Sequence, residues 1–440
     1  MKIHFSFMRK NGGIFQEERK DKTEDLTISD AKVPSTLIFP LSMHIGKPAE
    51  PVVAIGDKVK IGTIIAQAQD GISANVVSSV SGEVVAISKR DTMRGPGDCI
   101  VIKNDYEDTK EAPLHADKDD LTVADKLEII QKAGIVGMGG ATFPTHFKAK
   151  PNKNKPIDTI IVNGAECEPY STSDHRLMIE HAEGIIKGAH IYQEILGARD
   201  VVIVLEDDTP DCEAALREQL TGYPHMKLVV LPTMYPQGAE KALIESITGR
   251  QVPPGGLPAD VRTFVTNVAT ANATHEAVNE GKPLYERVTT VSGEPLSTPR
   301  NLRVRIGTPI NELIEECGGF VAPPGKMLHG GPMMGLPLTS AEVPITKGSS
   351  VITFLSQKES EREEQTDCIR CSECINVCPV SLQPILISNA YERGDIDEAE
   401  RLGAMDCIEC GNCSFICPSK IPLLENIRGA KQAIKAKSAG

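Results

Sequence analysis

The sequence predicts a multidomain protein that combines an α/β domain with smaller all-β domains and a helical, cysteine-rich domain. A chain of 440 residues is too long for one ordinary core, and its length favours about three domains. Strand-like and helix-like segments alternate in the middle of the chain, which predicts an α/β architecture with mostly parallel strands there. Short β-branched runs lie before and after that region, and two cysteine runs lie near the C-terminus.

The first 105 residues predict an N-terminal segment followed by a small all-β domain. Residues 1–30 are polar and charged, and we expect them to wrap another surface or fray. Residues 31–105 carry β-branched runs separated by turn residues, which is typical of a small barrel or sandwich. This pattern resembles the lipoyl/biotinyl carrier fold, but the hairpin tip at residues 67–72 has no lysine to modify. We therefore expect a docking or scaffold module instead of a carrier arm.

Residues 120–286 form the predicted α/β domain. Apolar residues at helical spacing predict a helix over residues 121–133, and strands are predicted near residues 159–163, 201–205 and 227–231. The loop after the first helix is rich in glycine, which lets the backbone approach a phosphate closely. Its glycines include Gly137, Gly139 and Gly140, and Lys148 offers a countercharge. A helix precedes this loop where a dinucleotide-binding fold has a strand, so the loop alone does not specify a ligand.

Polar residues follow two of the predicted strands. Asn163, Glu166 and Glu168 follow the first strand, and Asn267 and Thr270 follow the strand at Phe264. Ligands of open α/β sheets bind beyond the carboxyl ends of the strands, so the first group marks the edge of a candidate site. Any one of these residues taken alone is equally consistent with a solvated turn.

Residues 287–355 return to a β-rich pattern, with strands predicted at 288–291 and 301–306 and a helix at 310–316. The glycine-rich loop at residues 328–335 either turns the chain or approaches a cofactor; we favour a turn, with His329 as a structural residue. The charged run at residues 357–367 predicts a solvated linker or an exposed helix.

Residues 360–440 hold two identical runs of the form C-x2-C-x2-C-x3-C-P. Such runs are typical of bacterial ferredoxins with two [4Fe–4S] clusters, in which the fourth cysteine of each run ligates the other cluster. The expected ligand sets are Cys368, Cys371, Cys374 and Cys417 for one cluster, and Cys407, Cys410, Cys413 and Cys378 for the other. Structural zinc is the alternative, but zinc sites use two C-x2-C pairs with a longer gap between them. Helices are predicted between the two runs.

Composition disfavours several classes of function. The net charge of −13 disfavours nucleic acid or anionic lipid as the main partner. No apolar run approaches the 18 or so residues of a transmembrane helix. The sequence has no HExxH zinc signature and no recognisable nucleophile motif, so we expect no catalytic acid–base pair. Four further cysteines are scattered, and we expect them to be small buried hydrophobic residues: Cys99, Cys167, Cys212 and Cys317.

Four motifs of the α/β domain together resemble the flavin- and NADH-binding subunit of respiratory complex I. They are the glycine loop with Phe143 and Lys148, the turn at residues 163–169, the segment at residues 238–250, and Asn267 with Thr270. The resemblance implies FMN contacts for Gly137, Gly139, Gly140, Lys148, Asn163, Glu166, Asn267 and Thr270. It implies nicotinamide-nucleotide contacts for Phe143, Glu168 and Glu240. The chain departs from that family at Ala165 and Ala239, where the family has acidic residues, and both departures bear on the nucleotide half of the site.

Over nearly the whole chain, the domain order resembles the C subunits of the Rnf-type ion-translocating ferredoxin:NAD oxidoreductase family. The resemblance implies a barrel-sandwich (lipoyl-like) domain, an FMN/nicotinamide α/β domain, a β-grasp (SLBB-like) domain and a helical twin-cluster ferredoxin-like domain. It implies an NADH-linked translocase subunit with two [4Fe–4S] clusters, FMN and NAD(H), peripheral on the cytoplasmic side of a cell membrane. Its expected partners are the membrane-embedded and peripheral subunits of the same complex and, indirectly, ferredoxin.

The expected chemistry is a change in the number of electrons carried. NADH exchanges two electrons as a hydride, each cluster carries one, and FMN handles both modes. Two alternatives remain open: a cobalamin reductase of a bacterial microcompartment, which shares the flavin and cluster parts, and a passive electron-relay scaffold without bound flavin. The neighbouring genes would distinguish the cobalamin reductase from the translocase subunit. Bound FMN in the purified protein would exclude the passive scaffold.

Overall fold

The computed structural model describes residues 12–115 and 120–439 of the chain. These residues form four packed domains, preceded by an extended N-terminal strap that we define as residues 12–30. Within the strap, Ile14 pairs antiparallel with Tyr235, and β1 (Ser29–Asp30) pairs in parallel with a strand of the third domain. The expectation that this segment wraps another surface is confirmed for residues 12–30, whereas residues 1–11 lie outside the described residues.

The first domain is an all-β sandwich of two antiparallel sheets. Its strands are β2 (Thr36–Pro40), β3 (Glu50–Pro51), β4 (Lys58–Val59), β5 (Ile64–Gln67), β6 (Val76–Val77), β7 (Gly82–Thr92) and β8 (Gly95–Asn104). One sheet has the order β2-β8-β7-β4, and the other has the order β3-β5-β6. Leu37, Phe39 and Ile100 are fully buried in its core. The predicted small β domain is confirmed.

The second domain is α/β, with a four-stranded parallel sheet. Its strands are β9 (Thr159–Asn163), β10 (Asp200–Glu206), β11 (Met226–Leu231) and β12 (Thr263–Asn267). Its helices are α1 (Val123–Lys132), α2 (Thr145–Lys148), α3 (Ser173–Glu180), α4 (Ala182–Leu196), α5 (Pro210–Gln219), α6 (Glu240–Thr248) and α7 (Val268–Glu280). Thr122 and Asp125 form a capping box that starts α1, and Gly197 ends α4 in the left-handed conformation that glycine tolerates.

The strand order of this sheet creates a crevice beside β9. The sheet runs β11-β10-β9-β12, so the chain adds β10 and β11 on one side of β9 and then crosses over to place β12 on the other side. The connection after β9 leads to β10 on one side of β9, whereas β12 is added on the other side by the crossover from β11. Such a switch point is where open α/β sheets bind their ligands.

The third domain is a mixed sheet that packs against one short helix. It comprises β13 (Glu286–Gly293), β14 (Arg300–Arg305), α8 (Ile310–Glu316), β15 (Lys326–His329), β16 (Leu336–Leu338) and β17 (Val351–Leu355). With β1 of the strap, the sheet has the order β1-β14-β13-β17-β15-β16. Ile310 and Leu313 of α8 are buried in a core with Phe354. The two strands and the helix predicted at residues 288–316 are confirmed.

The fourth domain is helical and carries both cysteine runs. It contains α9 (Gln357–Ser360), α10 (Glu373–Asn376), α11 (Pro384–Glu392), α12 (Ile396–Arg401), α13 (Asn412–Ile416) and α14 (Leu423–Ala439). Buried Ile387 of α11 and Ile427 of α14 share a core with Cys413 and Cys417. The charged run that follows α9 is exposed and has no regular structure up to residue 370. None of the helices in the described residues is both long enough and apolar enough to span a bilayer.

Candidate functional site

Two asparagines frame the crevice at the switch point. Asn163 and Asn267 are the last residues of β9 and β12, and they lie opposite each other in the parallel register. The Oδ1 of Asn163 accepts the N–H of Ala165 at 3.0 Å, and its Nδ2 donates to the carbonyl of Gly238 at 2.9 Å. The Oδ1 of Asn267 accepts the N–H of Ala269 at 2.9 Å and caps α7. Both side chains therefore fix the turns that border the crevice.

The glycine loop lies over the start of α7. The N–H of Met138 donates to the Thr270 hydroxyl at 2.9 Å, and a Cβ on Gly139 would lie only 2.8 Å from the Cβ of Asn267. Gly140 has a φ of +158°, and a Cβ there would meet nothing within 4 Å. The loop thus packs tightly on the side of α7 and leaves open space at Gly140. Gly137 closes the loop, because its N–H donates to the Phe143 carbonyl at 2.9 Å.

Lys148 and Glu240 form an ion pair at the edge of this site. The Lys148 ammonium lies 2.7 Å from the Glu240 carboxylate and 5.6 Å from the centre of the Phe264 ring. Phe143, in the glycine loop just before α2, makes an edge-to-face contact with the exposed ring of Phe147, with 6.0 Å between ring centres. The structure therefore brings Lys148 and Glu240 together and places an aromatic pair beside the loop.

Glu166 faces the amino end of α3. Its carboxylate accepts the N–H of Asp174 at 3.2 Å and that of His175 at 3.0 Å, and it also accepts the Ser171 hydroxyl at 2.5 Å. A carboxylate in this position satisfies the free N–H groups of the helix and complements its dipole.

Asp174 links α3 to the end of β12. Its carboxylate accepts the Nδ2 of Asn267 at 2.5 Å, and it is almost completely buried. Burial and then the negative charge of Glu166 raise the pKa of Asp174 to about 7. The buried guanidinium of Arg287, from β13, acts electrostatically on both carboxylates, and burial lowers the pKa of Arg287 to about 10. The sequence analysis singled out neither Asp174 nor Arg287, since their spacing carries no signal.

Glu168 contacts the loop of residues 330–335 in the third domain. Its Oε1 accepts the N–H of Met333 at 2.7 Å and that of Met334 at 3.0 Å, and a Cβ on Gly331 would lie 2.1 Å from the Glu168 Cγ. The loop turns the chain between β15 and β16, as expected, and it also holds Glu168. The buried His329 beside it lies 2.7 Å from the Ser349 hydroxyl, which fits a structural role.

The motif cysteines fall into two groups that combine both runs. Burial and then the thiols of three cysteines raise the pKa of Cys374; these are Cys417, Cys371 and Cys368. Burial and then the thiols of Cys407, Cys410 and Cys378 raise the pKa of Cys413 to about 12. The fourth cysteine of each run thus lies with the first three of the other run. Four thiols are the number of ligands that one [4Fe–4S] cluster requires, so the two groups fit two clusters.

The two groups differ in exposure. Cys368 and Cys371 are exposed, whereas Cys378, Cys410 and Cys413 are buried. The scattered Cys99, Cys212 and Cys317 are buried as expected, whereas Cys167 is only partly buried because it lies in the turn that borders the junction.

The second, third and fourth domains meet at what we call the junction, formed by Tyr235, Glu168, Met333, Cys410 and Asn412. The Tyr235 hydroxyl donates to the carbonyl of Cys410 at 2.8 Å, and it also lies within hydrogen-bonding reach of Glu168. The Nδ2 of Asn412 donates to the carbonyls of Val377 and Tyr235 at 3.2 and 3.4 Å. The cysteine run that begins at Cys407 therefore lies directly against the α/β domain.

Comparison with known proteins assigns this architecture. Four family models match successive parts of the chain: the RnfC barrel sandwich hybrid domain over residues 8–107, the Nuo51 FMN-binding domain over 130–276, the SLBB domain over 288–337 and the 4Fe-4S dicluster domain over 360–418.

Three curated relatives match most of the chain. The C subunit of the proton-translocating ferredoxin:NAD(+) oxidoreductase complex of Clostridium ljungdahlii is 43% identical over 86% of this chain and 83% of its own. The C subunit of the Na(+)-translocating complex of Acetobacterium woodii is 40% identical over 96% of both chains. The C subunit of the ion-translocating oxidoreductase complex of Rhodobacter capsulatus is 41% identical over 96% of this chain and 82% of its own. The chain belongs to this family of C subunits.

Membership in the C-subunit family confirms the predicted fold class and the predicted FMN and [4Fe–4S] cofactors. Both cysteine runs lie within the dicluster domain, so the zinc alternative is set aside. The residues present fit both kinds of group: each group of cysteines offers four thiols, and a Cβ on Gly140 of the glycine loop would meet nothing within 4 Å.

The junction is the part of this protein that the sequence analysis missed. Tyr235 directly precedes the segment singled out at residues 236–250, but nothing in its spacing indicates that its hydroxyl contacts residue 410. The contacts of Met333 and Asn412 are likewise formed between residues far apart in the chain. The individual cofactor contacts predicted from the sequence remain predictions.

Proposed function

We propose that this protein is the peripheral electron-transfer subunit of a membrane-bound, ion-translocating ferredoxin:NAD oxidoreductase, passing electrons between NAD(H), FMN and two [4Fe–4S] clusters. The observation that carries this proposal is the direct contact between the flavin-binding domain and a cysteine of the dicluster domain, through Tyr235 and Cys410. Electrons tunnel between cofactors that a protein holds close together, and the protein supplies the positions.

The flavin residues are those predicted from the sequence. Gly137, Gly139 and Gly140 offer backbone to the flavin phosphate, with Lys148 as countercharge. Asn163, Glu166, Asn267 and Thr270 line the ends of β9 and β12 beside that loop. FMN, when bound, supplies the exchange of two electrons with NAD(H) and of single electrons with the clusters.

The nicotinamide nucleotide would contact Phe143, Glu240 and Glu168. Glu240 pairs with Lys148 at the edge of the crevice, and Phe143 packs against Phe147, the residue before Lys148 in α2. Glu168 is held by the loop of the SLBB domain, so its contribution would be made from that loop.

We propose that the two clusters act in series. The group of Cys378, Cys407, Cys410 and Cys413 touches the flavin domain through Tyr235, so we assign it to the inner cluster. The group of Cys368, Cys371, Cys374 and Cys417 includes two exposed cysteines, so we assign it to the outer cluster, which exchanges electrons with partner subunits. Ile369, 67% exposed between two of these ligands, offers an apolar contact there.

The proposed partners are the membrane-embedded and peripheral subunits of the same complex, with ferredoxin as an indirect partner. The relatives from C. ljungdahlii and A. woodii are each named as the C subunit of such a complex, one proton-translocating and one Na(+)-translocating. We place this chain on the cytoplasmic side of the cell membrane, as the family resemblance implies.

Anaerobic purification of the chain tests this function. We expect about eight irons and about one FMN per chain, and bleaching of the visible spectrum when NADH is added. A flavin-free protein with a full complement of iron would support the passive relay instead. Two zinc ions without iron would contradict the proposal altogether.

A further inference from the structure

One short segment of the flavin domain touches both the flavin crevice and the dicluster domain. It comprises residues 235–240 and ends at the first residue of α6. At its start, the Tyr235 hydroxyl donates to the Cys410 carbonyl at 2.8 Å. Further along, the Gly238 carbonyl accepts the Asn163 Nδ2 at 2.9 Å, and Glu240 pairs with Lys148 at 2.7 Å. The predicted flavin site and a predicted inner-cluster ligand are therefore only a few residues apart along one piece of backbone.

Tyr235 is held rigidly at this position. Its side chain and backbone are 2% exposed, and its N–H and carbonyl pair with Ile14 of the strap at 2.9 and 2.8 Å. Asn412, which is completely buried, reaches the Tyr235 carbonyl from the cysteine run itself. Because ring and backbone are fixed by other contacts, the hydroxyl is the one group of Tyr235 that a phenylalanine would remove.

The reduction potential of an iron–sulfur cluster depends on net charge, on solvent exposure and on hydrogen bonds around its ligands. A hydroxyl that donates to the Cys410 carbonyl directs the positive end of its dipole towards the loop that carries three predicted ligands. It also holds that loop against the flavin domain.

We propose that Tyr235 is a positioning residue for the inner cluster: its hydroxyl fixes the loop of residues 407–413 and thereby sets the reduction potential of that cluster and its electron exchange with the flavin. This inference rests on the proposed function, because it requires bound clusters and FMN. In each exchange one electron leaves the reduced flavin and one enters the oxidised cluster, and no bond forms or breaks. Tyr235 itself is neither oxidised nor reduced.

The test compares Tyr235→Phe with the unchanged full-length chain, both purified anaerobically with their cofactors. Tyr192→Phe is the matched control, because Tyr192 is also fully buried and its hydroxyl lies 2.5 Å from the Thr274 hydroxyl, within the flavin domain. A mediated titration with dithionite, followed by electron paramagnetic resonance, measures the potentials of the two clusters separately.

We expect Tyr235→Phe to shift one of the two cluster potentials to a more negative value and to leave the other at its original value. Loss of the donor removes a positive dipole end, which makes the reduced cluster less favourable. After mixing with NADH, the flavin should be reduced at the original rate while the clusters bleach several-fold more slowly. Tyr192→Phe should change none of these quantities.

Loss of about half of the iron with FMN retained would also support the inference, since it would show that the hydroxyl holds one ligand loop. Unchanged potentials, equal shifts of both clusters, loss of all iron and flavin together, or the same shift in Tyr192→Phe would each overturn it. Because dithionite replaces NADH in the titration, a chain that fails to oxidise NADH can still support or overturn the role of Tyr235.

Discussion

Glu166 and Glu168 are carboxylates of one turn that serve different parts of the molecule. Glu166 caps α3 with its two oxygens, and Glu168 binds two backbone N–H groups of the SLBB loop. Burial raises the pKa of Glu168, and the two N–H groups oppose this effect. The single residue between them, Cys167, is partly buried, and burial raises the pKa of its thiol. The turn thus directs Glu166 to the amino end of α3 and Glu168 to the junction.

Gly140 offers a direct test of the proposed FMN site in the glycine loop. Its φ of +158° and the open space around it mean that a β-branched side chain would strain the backbone and occupy the proposed position of the ligand. We expect Gly140→Val to weaken FMN binding by tenfold or more, about 1.4 kcal/mol or above. Titration of the flavin-free protein with FMN, followed by flavin fluorescence, measures the change.

Gly197→Ala is the control for backbone strain alone, because Gly197 ends α4 with a φ of +62° and also has open space around it. This control should lose some stability and keep its FMN affinity. An equal loss of FMN affinity in both variants would contradict the assignment of Gly140 to the FMN site.

The raised pKa of Asp174 predicts that the stability of the protein depends on pH. Its folded pKa of about 7 lies above the reference value of 3.8, so the unfolded chain loses this proton first as the pH rises. The folded state is therefore increasingly disfavoured between about pH 4 and pH 7. Asp174→Asn keeps an acceptor for Asn267 and removes the ionisation. We expect this variant to match the original stability at or below about pH 4 and to exceed it increasingly up to about pH 7, by on the order of a few kcal/mol near pH 8.

Urea unfolding followed by circular dichroism at several pH values measures this difference. Asp200→Asn is a suitable comparison, because its carboxylate is partly exposed and paired with Arg199 and Lys227. A pH profile for Asp174→Asn that parallels that of the original chain would show that Asp174 is already ionised in the folded state at pH 5.

At the residue level, the sequence predicts those groups whose chemistry is encoded locally. The cysteine spacing predicts two sets of four thiols, and the thiols that raise the pKa values of Cys374 and Cys413 belong to these same interleaved sets. Asp174 and Arg287 lie 113 positions apart, and their charges interact only because β13 packs beside α3. No local pattern predicts such a pair, since the packing of one domain on another brings it together.

At the level of structural elements, one buried cation stabilises the contact between the N-terminal strap and the α/β domain. Lys20 is 6% exposed, and its ammonium lies 3.3 Å from Asp208 and 3.4 Å from Glu18. Removing the cation from a buried group of carboxylates leaves their charges uncompensated. We expect Lys20→Met to lower the free energy of unfolding by about 2–4 kcal/mol.

Lys22→Met is the matched control within the same strap, because Lys22 is partly exposed and lies 3.6 Å from Glu294. Exposed ion pairs contribute little, so the control should change stability by less than about 1 kcal/mol. Chemical denaturation of both variants provides the measurement. Equal effects in the two variants would show that burial of Lys20 does not matter.

The hairpin of β7 and β8 is longer than its sequence pattern predicts. The sequence predicts a small β domain because apolar, β-branched residues lie in the middle of both strands. The strands themselves continue through polar residues to Thr92 and start again at Gly95. Met93 at the tip packs against the core of the SLBB domain. The extension is therefore stabilised by a neighbouring domain, which the local sequence cannot indicate.

For the whole molecule, the order of domains is predictable and their contacts are not. Each domain has its own pattern: alternating β-branched runs, strand–helix alternation, a second β-rich region and paired cysteine runs. The junction depends on single atoms from three domains, such as the Tyr235 hydroxyl and the Cys410 carbonyl. Our assignment of the inner cluster rests on these contacts, and they follow only from the folded structure.

The series arrangement of inner and outer clusters predicts opposite behaviour for two cysteine variants. Cys368→Ser removes an exposed ligand of the outer group, and Cys410→Ser removes a buried ligand of the inner group. Each variant should lose about half of the iron, because a cluster needs its four ligands. With FMN bound, NADH should still bleach the remaining inner cluster of Cys368→Ser at close to the original rate.

In Cys410→Ser, the outer cluster remains but the connection to the flavin is interrupted. We therefore expect NADH to reduce its flavin normally and to bleach its remaining cluster at least tenfold more slowly, whereas dithionite should bleach that cluster fully. The comparison of both reductants in one stopped-flow series separates a missing connection from a missing cluster. Rapid bleaching by NADH in Cys410→Ser would reverse the proposed order, because the exposed group would then be the one that receives electrons directly from the flavin.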